Sequence, residues 1–401
     1  MNILFLTITK IRDPEQHSLY ADLMREFARN GHQIYIYSPV ERKEKMELES
    51  IDKNGLHLRF VPIHDYYNTS FIKKGISSLS LSNRYYKSIT TIDAGVKFDL
   101  ILYATPPITF QKVIENIKRR DECKTYLMLK DIWPQGMLDL GLISNIGIKG
   151  LIYKQFKKQE ESIYRISDYI GCMSEGNCEY LLAHNPFLTR DRVEVCPNAV
   201  EITKESMNIS KNEIRAKYNI PEDKIVFVYG GNLGKPQGIP FLLECLKAVE
   251  KTDYYILIVG KGTEYKLLEN WIIEEQPKNC TLYSFMPKED YLSIVQACDV
   301  GLIFLNHDFT VPNIPSRILS YMEMGIPVLA STDPSTDLKK IINDANMGYW
   351  CESNNVDDFL AVMERFNNKD DRVVMGKNGK EYLTKKFSTA VSYKIIMRHF
   401  L

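Results

Sequence analysis

The segment Val311 to Ala330, VPNIPSRILSYMEMGIPVLA, combines residue types that suit an anion. Asn313 can cap a helix whose first turn holds Pro315, tolerated there because its missing N–H has no intrahelical partner anyway. Ile314 and Ser316 lie between and beside these turn residues. The free N–H groups and positive dipole end of such a helix attract negative charge. Arg317 in the same turn opposes the dipole but suits a phosphate. A capped helix with a solvated arginine explains the same residues.

A second candidate is Tyr229 to Ile239, YGGNLGKPQGI. Gly230, Gly231 and Gly234 let the backbone approach a ligand closely, and Lys235 can reach a phosphate as a point charge. The run is neither G-x-G-x-x-G nor closed by Gly-Lys-Ser/Thr, which disfavours a hydride-transfer cofactor and an ATP phosphate cradle. The loops Gly260 to Glu264, GKGTE, and Phe285 to Lys288, FMPK, each follow a strand in the same half. Backbone groups around Gly262 can read the edge of a planar base while Phe285 or Met286 covers its face. Taken singly, each is also explained as a plain turn.

In the first half, Lys130 and Asp131 follow a strand in LMLKDIWPQG, and Thr105 and Pro106 follow its neighbour. A cation and a carboxylate there can face the phosphate site; a buried-edge ion pair beside a packed Trp133 is the alternative. No D-x-D triplet occurs, so the two-carboxylate grip on a divalent metal is absent and no metal is expected. The seven histidines have no metal spacing, and only His307 falls near the candidate site.

Positioning these residues requires a scaffold. Short apolar runs alternate with helical patterns along the whole chain, which predicts an α/β fold of stacked βαβ units around parallel sheets. The first series has strands at Asn2 to Thr7, Gln33 to Tyr37, Leu56 to Val61, Leu100 to Tyr103, Thr125 to Leu129, Tyr169 to Cys172 and Val193 to Cys196. Leu19, Leu23, Phe27 and Ala28 recur at helical spacing in Ser18 to Asn30, which Gly31 stops. After Pro197 a polar stretch marks a boundary. The second series has strands at Ile225 to Tyr229, Tyr255 to Val259, Thr281 to Ser284, Val300 to Phe304 and Pro327 to Ala330. Two Rossmann-like halves imply a cleft between them, since ligands bind outside the carboxyl ends of such strands.

Composition limits the functions available. The 401 residues predict two domains. Lysine plus arginine and aspartate plus glutamate each number 51, so there is no positive field to gather nucleic acid. Eight scattered cysteines without C-x-x-C read as reduced thiols of a cytoplasmic protein. MNILFLTITKIRD is a buried first strand, not a signal or membrane span, and any membrane contact must come from the surface.

The combination of NGHQIYIYSP, YATPPI, KDIWP, CPNAVE, YGGNLGKPQG, VGKGTE and PSRILSYMEMGIPVLAS resembles the family-four retaining glycosyltransferases of GT-B fold, in which two Rossmann-like domains face a central cleft. The branch it is similar to builds bacterial O-antigen and capsule repeats. The resemblance implies an acceptor-binding domain at residues 1–198, a nucleotide-sugar-binding domain at 199–381, and a C-terminal helix at 382–401 that packs back on the first. It also implies that Gly231 to Gln237 and Ile314 to Arg317 flank the donor diphosphate. Where the family often has two glutamates eight positions apart, this chain has Pro312 and Ser320. The usual Arg and Lys of the phosphate loop are Asn232 and Gln237, leaving Lys235 as its cation. Lys130 replaces a common histidine, and Asp13 to Glu15 replace an acceptor-side Gly-Gly pair.

The resulting expectation is transfer of a sugar, an N-acetylhexosamine on UDP being favoured, to a lipid-linked glycan, with retention and without a cofactor. Lys130, Asp131, Lys235 and Arg317 are the catalytic candidates. A nucleotide-sugar 2-epimerase and a non-catalytic sugar-nucleotide-binding assembly protein are the alternatives. A lipid-linked acceptor implies contact with the inner membrane surface. Tyr66 to Ile92 and Leu142 to Lys158 both mix aromatic or aliphatic residues with bases. For the second, an amphipathic helix facing the core is the competing account.

Overall fold

The computed structural model describes residues 1–44, 49–64, 71–202 and 210–401, without the side chains of 71–79, 148–149 and 288–289. It divides into two compact units, Met1–Glu201 with Ser388–Leu401, and Ile202–Phe387.

Among its described residues the first unit is built on eight strands: β1 (Asn2–Leu6), β2 (Gln33–Glu41), β3 (Ile51–Lys53), β4 (Leu56–Ile63), β5 (Leu100–Thr105), β6 (Lys124–Leu129), β7 (Tyr169–Cys172) and β8 (Val193–Val195). Their order is β3-β4-β2-β1-β5-β6-β7-β8. All neighbours are parallel except the edge pair β3 and β4. β5 is buried along its whole length, because helices cover both faces of a parallel sheet and the strand reads as a continuous apolar run. The first helix, Leu19–Arg29, starts where Ser18 accepts the Ala21 N–H at 3.3 Å, and Gly31 follows its end at φ +84°. Its Phe27 and Met24 join Phe5, Ile36 and Leu102 in the core.

The second unit has six parallel strands: β9 (Ile225–Asn232), β10 (Tyr254–Lys261), β11 (Cys280–Tyr283), β12 (Val300–Phe304), β13 (Val328–Thr332) and β14 (Gly348–Glu352). Their order is β11-β10-β9-β12-β13-β14. Phe227, Tyr229, Ile256, Leu302 and Phe304 meet helical residues Leu242, Leu246 and Phe359 in its core. All eight cysteines are free and buried.

Two expectations are corrected. The stretch 382–401 is not one helix: Lys369–Lys386 ends at Phe387 in the second unit, and Thr389–Met397 starts anew in the first. The break lies at Ser388, whose extended backbone forms a parallel bridge with Val200. The boundary between the units falls after Glu201 instead of 198, and the Glu201 carboxylate is held by Arg25 and Arg29 of the first unit.

Candidate functional site

In the second unit the chain runs outward from β9 to β11 on one side, then returns to lay β12 beside β9 and runs outward to β14. The carboxyl ends of β9 and β12 therefore flank a topological switch point, where open α/β sheets bind ligands. The two loops leaving this point are tied together. Asn306 donates its N–H to the Pro236 carbonyl at 2.9 Å and its side-chain amide to the Lys235 carbonyl at 3.2 Å.

Arg317 opens the helix Arg317–Met324, and its guanidinium lies 4.4 Å from the Tyr229 ring centroid. A Cβ on Gly231, whose φ is +131°, would lie 3.1 Å from Arg317 Nη2, so the glycine makes room for the cation. Among the described residues no carboxylate pairs with Arg317, and its buried Nη1 has no hydrogen-bond partner. Burial opposes its charge, while the phenol oxygens of Tyr229 and Tyr321 favour it and leave its pKa above the ordinary value. A half-buried guanidinium whose buried Nη1 is unmet is chemically incomplete, and a phosphate oxygen supplies both the charge and the acceptor.

Tyrosines build this seat. Tyr321, four residues after Arg317 on the same helix, donates to the carbonyls of Leu302 and Val228 at 3.0 and 3.1 Å. Tyr229 donates to the Asn232 carbonyl at 2.7 Å. The buried Tyr291 hydroxyl has no partner in the described structure, and burial pushes its pKa up to about 12. Two glycines admit these rings: a Cβ at Gly230 would lie 2.1 Å from the Tyr291 hydroxyl, and one at Gly301 would lie 2.4 Å from Tyr321 Cγ.

The rest of the rim departs in places from expectation. Asn313 does not cap the helix; its carbonyl accepts the Thr336 hydroxyl at 2.6 Å, and the cap position is the exposed Ser316, which makes no side-chain capping bond. Buried Ile314 and half-buried Pro315 thus precede the helix, and Ser320 is half-buried within it. Carbonyls of Pro315 and Ser316 already take the N–H groups of Ile318 and Leu319, at 3.3 and 3.1 Å. The groups left unmet here consequently belong to the guanidinium more than to the backbone N–H groups.

Asn232 donates to Gln237 Oε1 at 2.9 Å, and the same oxygen accepts the Gly234 N–H at 3.3 Å. Those two side chains brace the loop. Lys235 is exposed at the start of the turn Lys235–Gln237 and has no ion-pair partner among the described residues. Burial raises the pKa of half-buried Glu264, against the pull of Lys235. Gly262 is needed for packing, since a Cβ there would lie 2.1 Å from the Leu233 carbonyl. Phe285 is 73% exposed with Lys261 Nζ 5.5 Å from its ring centroid, and Met286 beside it is half-buried. His307 instead contacts Glu352, at 2.9 Å.

Asp333, which carried no sequence signal, is fully buried after β13. One oxygen accepts the N–H groups of Ser335 and Thr336 at 2.9 and 3.0 Å; the other has no partner among the described residues. Burial pushes its pKa up to about 6. The loop it shapes pins the approach to Arg317, through Ser335 to the Phe309 carbonyl at 3.1 Å and Thr336 to Asn313.

The first unit has its own switch point between β1 and β5. Asp13 and Glu15, in the loop after β1, are exposed; Asp13 accepts the Glu15 N–H at 2.8 Å, and Glu15 pairs with Lys53 at 3.3 Å. Thr105 ends β5 with a buried hydroxyl that has no partner among the described residues, and half-buried Pro106 follows. Lys130 and Asp131 leave the next strand, β6. They form no ion pair with each other: Lys130 Nζ is directed at the Cys196 carbonyl, 3.5 Å away, and Asp131 is exposed. Burial lowers the pKa of the Lys130 ammonium. His17, Asp22 and Glu201 approach within 4.8 Å in this unit, but Arg25 bonds both carboxylates, at 2.6 and 2.9 Å, so the group is an ion cluster already balanced by arginine.

Of the two aromatic and basic segments, Tyr66 and Tyr67 lie outside the described residues, as do the side chains of Phe71, Lys73 and Lys74. In the rest of the helix Phe71–Ile92, Leu81, Tyr85 and Ile89 face inward, whereas Lys87 and Ile92 are exposed. Tyr85 is fully buried and donates to the Thr7 carbonyl at 2.6 Å, and Arg84 is bonded to the Pro62 carbonyl and to His64. In the second segment, Leu142, Ile146, Leu151 and Ile152 are exposed instead of facing the core.

Two α/β units built on largely parallel sheets, the second with an unpaired guanidinium at its switch point, have the GT-B fold. Residues 210–382 match the family Glycosyl transferases group 1, nearly the whole second unit. The chain is 22% identical over 303 residues to the probable glycosyltransferase WbjE of Pseudomonas aeruginosa, covering 73% of this chain and 74% of that one. It is 19% identical over 247 residues to the putative colanic acid biosynthesis glycosyl transferase WcaI of Escherichia coli K12, covering 61% and 60%. Among solved structures, one described as trehalose-6-phosphate from E. coli bound with UDP-2-fluoro glucose superposes with a TM-score of 0.75 at 12% identity, over 100% of this chain and 98% of that one.

Proposed function

We propose that the protein transfers a sugar, an N-acetylhexosamine being favoured, from a UDP-linked donor to a glycan on a lipid carrier, with retention of configuration, in the synthesis of a surface polysaccharide. The observation that carries this reading is the Arg317 guanidinium, seated on Tyr229 at the switch point with an unmet N–H. The group 1 match over the second unit, the UDP-sugar held by a protein of the same fold, and the colanic acid relative support it.

As the bond between the anomeric carbon and the diphosphate breaks, negative charge collects on the leaving oxygens. Arg317, fixed before the reaction, offsets that charge without reorganisation, and Lys235 adds a second cation. The acceptor hydroxyl attacks on the same face and passes its proton to the departing phosphate oxygen. A glycosidic bond and free UDP result. Phe285 and Met286 cover the base, with backbone around Gly262 at its edge. On the first unit, Lys130 and Asp131 serve the reacting sugar and its acceptor, and Asp13, Glu15, Thr105 and Pro106 form the acceptor rim.

Screening nucleotide sugars by thermal shift identifies the donor, since a ligand at 100 times its dissociation constant adds about 2.7 kcal/mol. Arg317→Ala and Lys235→Ala each lower transfer at least about tenfold with the fold intact. Near-normal turnover in both overturns the phosphate site. Activity persists in excess chelator; loss restored only by magnesium or manganese reveals a metal requirement. Conversion of donor in the absence of any acceptor identifies an epimerase instead.

A further inference from the structure

We propose that the start of the helix Gly147–Ile166, with the loop before it, docks on an anionic lipid bilayer. The helix is held by its other side: Phe156 packs edge-on against Trp133 at 4.8 Å, Tyr153 donates to Gln135 at 3.0 Å, and Ile163 and Tyr164 are fully buried. Its outer face is thus fixed in solvent. That face is apolar where it begins, with Ile146 79% and Leu151 67% exposed and Leu142 and Ile152 beside them in sequence. Single exposed aliphatic residues are common on soluble proteins; four within eleven positions on one short stretch are not.

Charge selects the occupant. Leu140 to Gln159 contains no aspartate or glutamate but has Lys149, Lys154, Lys157 and Lys158. Lys154 and Lys158 follow Leu151 at helical spacing along the exposed stripe and have no carboxylate partner among the described residues, whereas Lys157 pairs with Glu160 at 2.9 Å. Aliphatic side chains entering the headgroup layer beside cations that meet lipid phosphate match an anionic membrane surface. No described helix is long and apolar enough to cross a membrane, so this contact is with the surface alone.

The inference deepens the lipid-carrier reading, and its test needs neither donor nor acceptor. The full chain is sedimented with vesicles of phosphatidylcholine alone or with phosphatidylglycerol, at low and high salt. Binding is expected only to the anionic vesicles and weakens as salt rises. Lys154→Gln with Lys158→Gln lowers the partition coefficient about fivefold per lysine. Ile146→Ser with Leu151→Ser lowers it at all salt concentrations. Both double variants, changed only at exposed positions, keep the melting temperature and the turnover of a water-soluble acceptor. No sedimentation at low salt, or sedimentation unchanged in both variants, overturns the proposal. So does self-association in lipid-free solution that Ile146→Ser with Leu151→Ser abolishes, which would make this face a contact between copies. Vesicle binding by a protein that transfers no sugar would leave the docking surface standing and remove the enzymatic reading.

Discussion

The two switch points share a topology but differ in how tightly their side chains are fixed. At the rim of the second unit a cation rests on an aromatic ring, buried tyrosines surround it, and glycines stand wherever a Cβ would displace them. At the rim of the first unit Asp13, Glu15 and Asp131 are exposed, and Lys130 reaches only a carbonyl. The difference follows from the task proposed for each. A diphosphate presents the same charge in every donor and rewards a rigid receptor, whereas acceptors vary from one glycan to another and are met by residues that can be exchanged.

The largest effect is expected from Gly230→Ala, which places a methyl group against the Tyr291 hydroxyl and displaces the wall behind Arg317. Overpacking of this kind costs about 1–3 kcal/mol of stability. UDP affinity, measured by titration calorimetry, falls at least about tenfold; unchanged affinity would mean that the tyrosine seat does not set the cation. On the looser rim, Asp131→Asn lowers turnover about tenfold while leaving the dissociation constant for UDP unaltered. Loss of UDP binding in that variant would erase the distinction between the rims.

Tyr321→Phe removes a hydroxyl shared by two buried carbonyls and costs about 1 kcal/mol, read from denaturant unfolding, with a few-fold loss in donor affinity. A further effect concerns pH. The Asp333 carboxyl titrates at about 6 in the folded protein, above its unfolded value near 3.9. The folded state therefore binds the proton more tightly, and this group's contribution to stability declines as pH rises from about 4 through 6. Asp333→Asn retains the acceptor for Ser335 and Thr336 and gains on the parent protein by up to about 3 kcal/mol above pH 7, with the gap closing below pH 4. A gap independent of pH would assign the burden to packing.

Regular structure was legible where local pattern and tertiary burial agree. Ser18 and Gly31 bracket the first helix as their types require, and the wholly buried β12 stands out as a short apolar run. β3 has two of its three residues exposed, and β14, GYWCE, is only partly buried, so neither gives a clear period. The proposed anion seat was half legible. Arg317 and the glycine turn could be read from residue type, but the tyrosines that hold the arginine are on three separate elements, and only Tyr321, at helical spacing from Arg317, left a local trace. Asn313 misled because the backbone stays irregular until Ser316, and Thr336, far along the chain, takes its carbonyl. Lys130 and Asp131 are adjacent in sequence, yet consecutive residues need not face each other, and they do not pair.

The helix Thr389–Met397 has a consequence for how the protein is made. Its Ile396 and Met397 enter the first unit's core, Tyr393 meets Phe27 edge-on at 4.9 Å, and His399 stacks on Tyr169 at 3.8 Å. During synthesis these surfaces emerge from the ribosome early, whereas the segment that covers them emerges only after the entire second unit. A nascent first unit must wait with Phe27 and Tyr169 uncovered, open to chaperones or to another chain's terminal helix, until Ser388 pairs with Val200 and closes it.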